Sequence, residues 1–158
     1  MDTLGPDLLT PPALMHLRAG SLLSDEDVIS IELSRMVAGC AMEPGEVRIA
    51  SLFHDESSYV PYLLQDLVGA AELTARESET ILIARLLHVR RSWDTLDEAG
   101  FYIESEIDDW DSDGEYEALR FSMLPSRGEG GVEKYLARLD AHVRHRIAVL
   151  KGDYDRTS

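Results

Sequence analysis

The sequence predicts an all-α protein, a single compact domain of about six or seven helices with an acidic loop near residues 108–115. Apolar residues recur at three- and four-residue spacing along most of the chain. Capping residues or prolines stand just ahead of those runs. Residues 101–107 alternate like a strand, but a lone strand between helical segments has nothing to pair with.

Thr10 followed by Pro11 and Pro12 opens a first short helix, which Gly20 ends. Ser24, with Asp27 three residues on, is a capping-box variant that starts the run 25–41; Asp25, Glu26 and Asp27 lie in its first turn, where the helix dipole favours them. Pro44 restarts the chain for 45–53, and Ser57, Ser58 and Pro61 mark the start before 62–73. Thr74 and Glu77 form a second box and open 75–93, in which Leu82, Leu86, Val89 and Trp93 follow helical spacing. Ile81, Ile83 and Leu87 make its middle apolar nearly all round, the pattern of a central buried helix. "FYIESEI" (101–107) is read as helix and "PSRGEGG" (125–131) as a flexible surface loop. The last helix carries Val132, Leu136, Leu139, Val143, Ile147 and Leu150 in one stripe, with Gly130-Gly131 in front and Gly152 behind. Residues 1–10 and 152–158 are expected to be flexible ends.

A chain of 158 residues can bury roughly 70% of its unfolded surface, so it needs neither disulfide nor metal to hold a core. Apolar content of 44% against 28% charge excludes a disordered chain. The single cysteine, Cys40, lies in the apolar run "MVAGCAM" and reads as a buried, inert thiol in a reducing compartment. The N-terminus lacks the pattern of a signal peptide, and no run approaches the roughly 20 apolar residues that span a bilayer. A cytoplasmic protein is expected.

The net charge of −15 is unevenly spread. Residues 1–75 carry twelve acids against three bases, whereas 118–158 carry eight bases against five acids. Between them, "ESEIDDWDSDGEYE" (104–117) holds eight carboxylates and no Lys or Arg. Such a field opposes nucleic acid and anionic membranes and suits a basic protein partner. Glu104, Glu106, Asp108, Asp109, Asp111, Asp113, Glu115 and Glu117 surround Trp110, with Tyr102 and Tyr116 nearby. Carboxylates would steer and pair a basic partner while the tryptophan supplies desolvated area. The expectation is a binding module of the inhibitor or immunity type that needs no cofactor and engages a basic toxin, nuclease or nucleic-acid-binding protein through these residues.

Two other readings of the stretch stay open. Lys134, Arg138, His142 and Arg146 recur every four residues and form a basic stripe, with Arg144 and His145 adjacent. This stripe would dock on the acids within one monomer or across a homodimer. His142 and His145 read as part of that solvated face, not as metal ligands. Alternatively, Asp109-Trp110-Asp111-Ser112-Asp113-Gly114 resembles the first half of an EF-hand loop, which implies calcium held by Asp109, Asp111 and Asp113. The twelfth position, an acid in that family, is Arg120 here, although Glu117 could reach inward instead.

His54-Asp55 in "IASLFHDES" resembles the His-Asp pair of HD-domain phosphohydrolases, which are also all-helical. The resemblance implies metal-dependent phosphoester hydrolysis with those residues as ligands. Ser24 and Asp25 stand where that family has its first histidine, and Asp94 is the available last aspartate. "LTARE" (73–77) resembles the opening of a LuxR-type helix-turn-helix, but no short turn and polar recognition helix follow. The Thr74–Glu77 box accounts for the same residues.

Overall fold

Capping residues or prolines mark the first five helix starts in the computed structural model, which describes residues 4–95, 98–120 and 131–157. Among these residues there are seven α-helices and no strand. They are α1 (Pro11–Ala19), α2 (Asp25–Val37), α3 (Pro44–Ala50), α4 (Val60–Val68), α5 (Ala75–Arg91), α6 (Ala99–Trp110) and α7 (Gly131–Thr157). Short 3-10 turns cover Pro6–Leu8, His54–Tyr59 and Glu117–Leu119. Contacts divide the chain into two compact units, Met1–Ile81 and Leu82–Ser158, with the division inside α5.

In the first unit α2 packs on α3, and α4 packs on both α1 and α3. The foreseen capping box of α2 is formed: Asp27 N–H donates to Ser24 Oγ at 3.1 Å, and Ser24 N–H donates to the Asp27 carboxylate at 2.8 Å. The helix ends four residues earlier than expected. Gly39 takes a positive φ of 74°, and the N–H groups of Gly39 and Cys40 donate to the carbonyls of Met36 and Arg35. That pair of bonds is a Schellman stop, which a purely apolar reading of 36–42 overlooks. Cys40, beyond the stop, is a free thiol of intermediate burial, not a buried one. Gly45 allows α3 to approach α4, because a Cβ there would sit 2.5 Å from Leu67 Cδ2.

The expected flexible end begins in the core. Leu4, Leu8 and Leu9 are buried together with Leu14, Leu17, Val28, Ile49 and Leu64, and full burial of such a side chain contributes roughly 1.5–3 kcal/mol. At the other end, α7 continues past Gly152 to Thr157; an isolated glycine weakens a helix without breaking it.

In the second unit Leu86 and Val89 of α5, Ile103 and Ile107 of α6 and Leu139 and Val143 of α7 are buried. The apolar stripe of α7 starts differently from the expected one: Val132 is exposed and Tyr135 is buried. The Tyr135 hydroxyl donates to the Leu119 carbonyl at 2.8 Å, which makes the ring acceptable in a core. Burial raises the Tyr135 phenol above its ordinary range. The ambiguous 101–107 lies wholly inside α6. Of the loop expected at 125–131, Gly131 begins α7 and 125–130 lie outside the described residues.

Candidate functional site

α6 is amphipathic. Ala99, Ile103 and Ile107 point inward at helical spacing, leaving Phe101, Tyr102, Ser105, Asp108 and Asp109 exposed on the opposite side. Phe101 retains 68% and Tyr102 48% of its accessible surface. Trp110, expected as the central exposed aromatic, is half-buried, and the Arg85 guanidinium lies 5.4 Å from its ring centroid. This is cation–π distance.

The acidic stretch gathers cations from outside itself. Arg85 of α5 donates to both oxygens of Glu106 at 3.1 and 3.2 Å. Arg120 bridges two acids, with its guanidinium 2.7 Å from Asp108 and 2.8 Å from Glu117. Arg146 of α7 reaches Glu115 at 3.2 Å. The Arg120 hydrogen bond holds the Glu117 carboxyl below its usual range and raises the guanidinium in return.

Arg146 thus makes one contact of the kind expected from the basic stripe. His142 instead packs edge-on against Tyr116, with ring centroids 4.9 Å apart, and Arg138 lies over the Tyr135 ring at 5.8 Å. Arg85 and Arg120 were not foreseen as partners. Arg120 had a visible signal, since it stands three residues after Glu117; Arg85 had none, because its partner is twenty-one residues away in sequence.

Among the described residues, which include Asp109, Asp111 and Asp113, no cluster of His, Cys, Asp or Glu that could hold a metal occurs. The Asp111 carboxylate is committed to the backbone: it accepts the N–H of Glu115 at 3.1 Å and of Tyr116 at 2.9 Å. In an EF-hand loop these oxygens would turn inward toward the ion; here they close the turn that buries Tyr116. Asp109 and Asp113 are exposed, and Glu104 is half-buried on the flank of α6.

His54 and Asp55 lie in the first turn of the 3-10 segment His54–Tyr59, both exposed. The His54 imidazole is 3.8 Å from Glu26, and no metal-holding cluster forms around it among the described residues. The Thr74–Glu77 box is present, with Thr74 N–H and Oγ1 both donating to the Glu77 carboxylate at 2.9 Å.

The buried charges lie elsewhere. Glu32, Arg35 and Glu46 are all buried in the first unit. Arg35 donates to Glu46 at 2.9 Å and to the Pro6 carbonyl at 2.9 Å, and its Nε lies 3.2 Å from Glu32. Burial pushes the Glu32 carboxyl up to about 7, against the pull of Arg35.

No protein-family model, curated protein or solved structure matches the chain. No helix among the described residues is long and apolar enough to cross a membrane.

Proposed function

We propose that the chain is a cytoplasmic binding module, of the inhibitor or immunity type, that engages a basic protein through the outer face of α6. The observation that carries the reading is the in-line placement of two exposed aromatics, Phe101 and Tyr102, with the exposed carboxylates of Asp108 and Asp109. Aromatic area supplies the desolvated contact, and the carboxylates supply steering and orientation. Asp113 adds a further exposed carboxylate beyond the end of α6, and the net charge of −15 repels nucleic acid and anionic lipid.

The internal pairing narrows which acids serve a partner. Glu106 and Asp111 support the fold, whereas Asp109 and Asp113 are exposed and offer acceptors to an incoming Arg or Lys. The test is affinity capture followed by titration of the purified partner. The quadruple variant F101A/Y102A/D109K/D113K is compared with D66K/E72K, which reverses two exposed acids elsewhere. The expected partner is strongly basic, and the quadruple variant loses at least about tenfold in affinity, or 1.4 kcal/mol, while the control keeps it. A partner without excess positive charge, or one held equally by both variants, sinks the reading.

A further inference from the structure

The first unit contains a cavity of about 510 Å³, within the size range of small-ligand sites. Pro11, Pro12, Met42, Leu67 and Val68 supply apolar walls. The ionisable groups lining it are unbalanced: Glu43, Glu46 and Glu77 stand against Arg35 alone. Arg35 is already shared between Glu46 and Glu32 and also holds the Pro6 carbonyl, so it has little left for an anion.

The carboxylates are positioned by the fold. Glu46 accepts the N–H of Glu43 at 2.7 Å and Arg35 at 2.9 Å, one donor on each oxygen. Glu77 takes Thr10 Oγ1 on Oε1 at 2.8 Å and both Thr74 donors on Oε2. A carboxylate oxygen has room for two donors, so both oxygens of Glu46 and Oε1 of Glu77 retain accepting capacity. Glu43 is exposed at the rim. Apolar walls, fixed acceptors and a net negative lining select one chemistry.

The geometry points to a binding site for an alkylammonium group, a primary amine carried on an apolar body, in the cavity formed by α1, the α2–α3 connection, the end of α4 and the start of α5. The amine is either a free small molecule or a lysine side chain of another protein. The site is independent of the α6 face.

Three isosteres test the charge selection in the intact chain by titration calorimetry. They are cyclohexylmethylamine, cyclohexylmethanol and cyclohexanecarboxylate. Nα-acetyl-lysinamide is the fourth probe and distinguishes a side chain from a free amine by which binds tighter. The amine is expected to bind, the alcohol at least about tenfold more weakly because a charge-assisted bond is lost, and the carboxylate not measurably. Ala71→Trp places a large side chain at the exposed cavity wall and is expected to abolish binding with an unchanged circular dichroism spectrum. Glu43→Gln should weaken the amine and leave the alcohol unaffected. Equal affinity for amine and alcohol, undiminished binding by a folded A71W, or no amine binding at millimolar concentration each overturns the site.

Discussion

Arg35 lies between Glu32 and Glu46 in the first unit, and Arg120 lies between Asp108 and Glu117 in the second. Each trio has one guanidinium and two carboxylates, so each carries the same formal excess of one negative charge. The contacts are similar in length, 2.9 and 3.2 Å in the first and 2.7 and 2.8 Å in the second. The carboxyls nevertheless shift in opposite directions: Glu32 is raised to about 7 and Glu117 is lowered. Solvent makes the difference. The Glu32 side chain is 0% exposed, against 63% for Asp108 and 54% for Glu117. Water screens the surplus charge on the surface; in the core a proton must cancel it. Distance alone does not tell what an ion pair contributes.

The strongest way to break this comparison is to remove each arginine. Arg35→Leu leaves Glu32 and Glu46 buried without a counter-charge and frees the Pro6 carbonyl. The expected loss is about 3–5 kcal/mol of unfolding free energy, read from urea denaturation. If Arg35→Leu costs no more than Arg120→Ala, burial is not the deciding factor.

The pH dependence comes next in size. Glu32 has a folded pKa of about 7, above its ordinary 4.5, so the native state holds this proton more tightly than the unfolded chain. Its contribution is complete below pH 4.5 and is lost as pH rises through 7. The charged groups facing it are Arg35, which opposes the shift, and Glu46, which adds to it. Glu32→Gln mimics the protonated form. Relative to this variant, the wild type should lose roughly 2–4 kcal/mol between pH 4.5 and 8. Parallel stability profiles for the two proteins would show that Glu32 does not titrate in that window.

How far these features were legible in the sequence follows from their range. Ser24–Asp27 and Thr74–Glu77 act over three residues, and both boxes formed as read. The Schellman stop at Gly39 was equally local, but an apolar run masked it. The buried trio joins α2, α3 and the Pro6–Leu8 turn; its Glu32–Arg35 half is local, and its burial depends on how those elements pack. In the acidic stretch, composition gave eight carboxylates without a neighbouring base. The bases arrive from Arg85 and Arg146, which only the tertiary fold brings near. The sequence therefore overstated the free charge of 104–117 and named Tyr102 beside the acids without Phe101, because a helical period over 101–107 does not tell which side of α6 packs inward.

Within the acidic stretch, two aspartates sharpen the contrast between structural and exposed charge. Asp111→Ala releases the N–H groups of Glu115 and Tyr116, and the expected cost is roughly 1–2 kcal/mol. Asp109→Ala removes a solvated group and should leave the denaturation midpoint unchanged. Equal effects would mean that the backbone bonds of Asp111 do not hold the turn.

Arg120→Ala should change stability as little as Asp109→Ala does and is the most direct probe of the exposed trio. Both partners sit largely in water, so the unfolding midpoint at neutral pH should not move measurably. The titration should move. The Arg120 hydrogen bond is the main cause of the depressed Glu117 carboxyl, so its removal should return Glu117 toward 4.5 in a carboxyl-detected NMR titration. The sign is opposite to that of Glu32: a depressed folded pKa gives stability above the unfolded value and loses it as pH falls. Any stability difference between wild type and Arg120→Ala should therefore appear above pH 4.5 and vanish in acid. An unmoved Glu117 titration would mean that Arg120 does not spend its time on Glu117 in solution. The acidic face would then present more free charge to a basic partner than the static contacts imply.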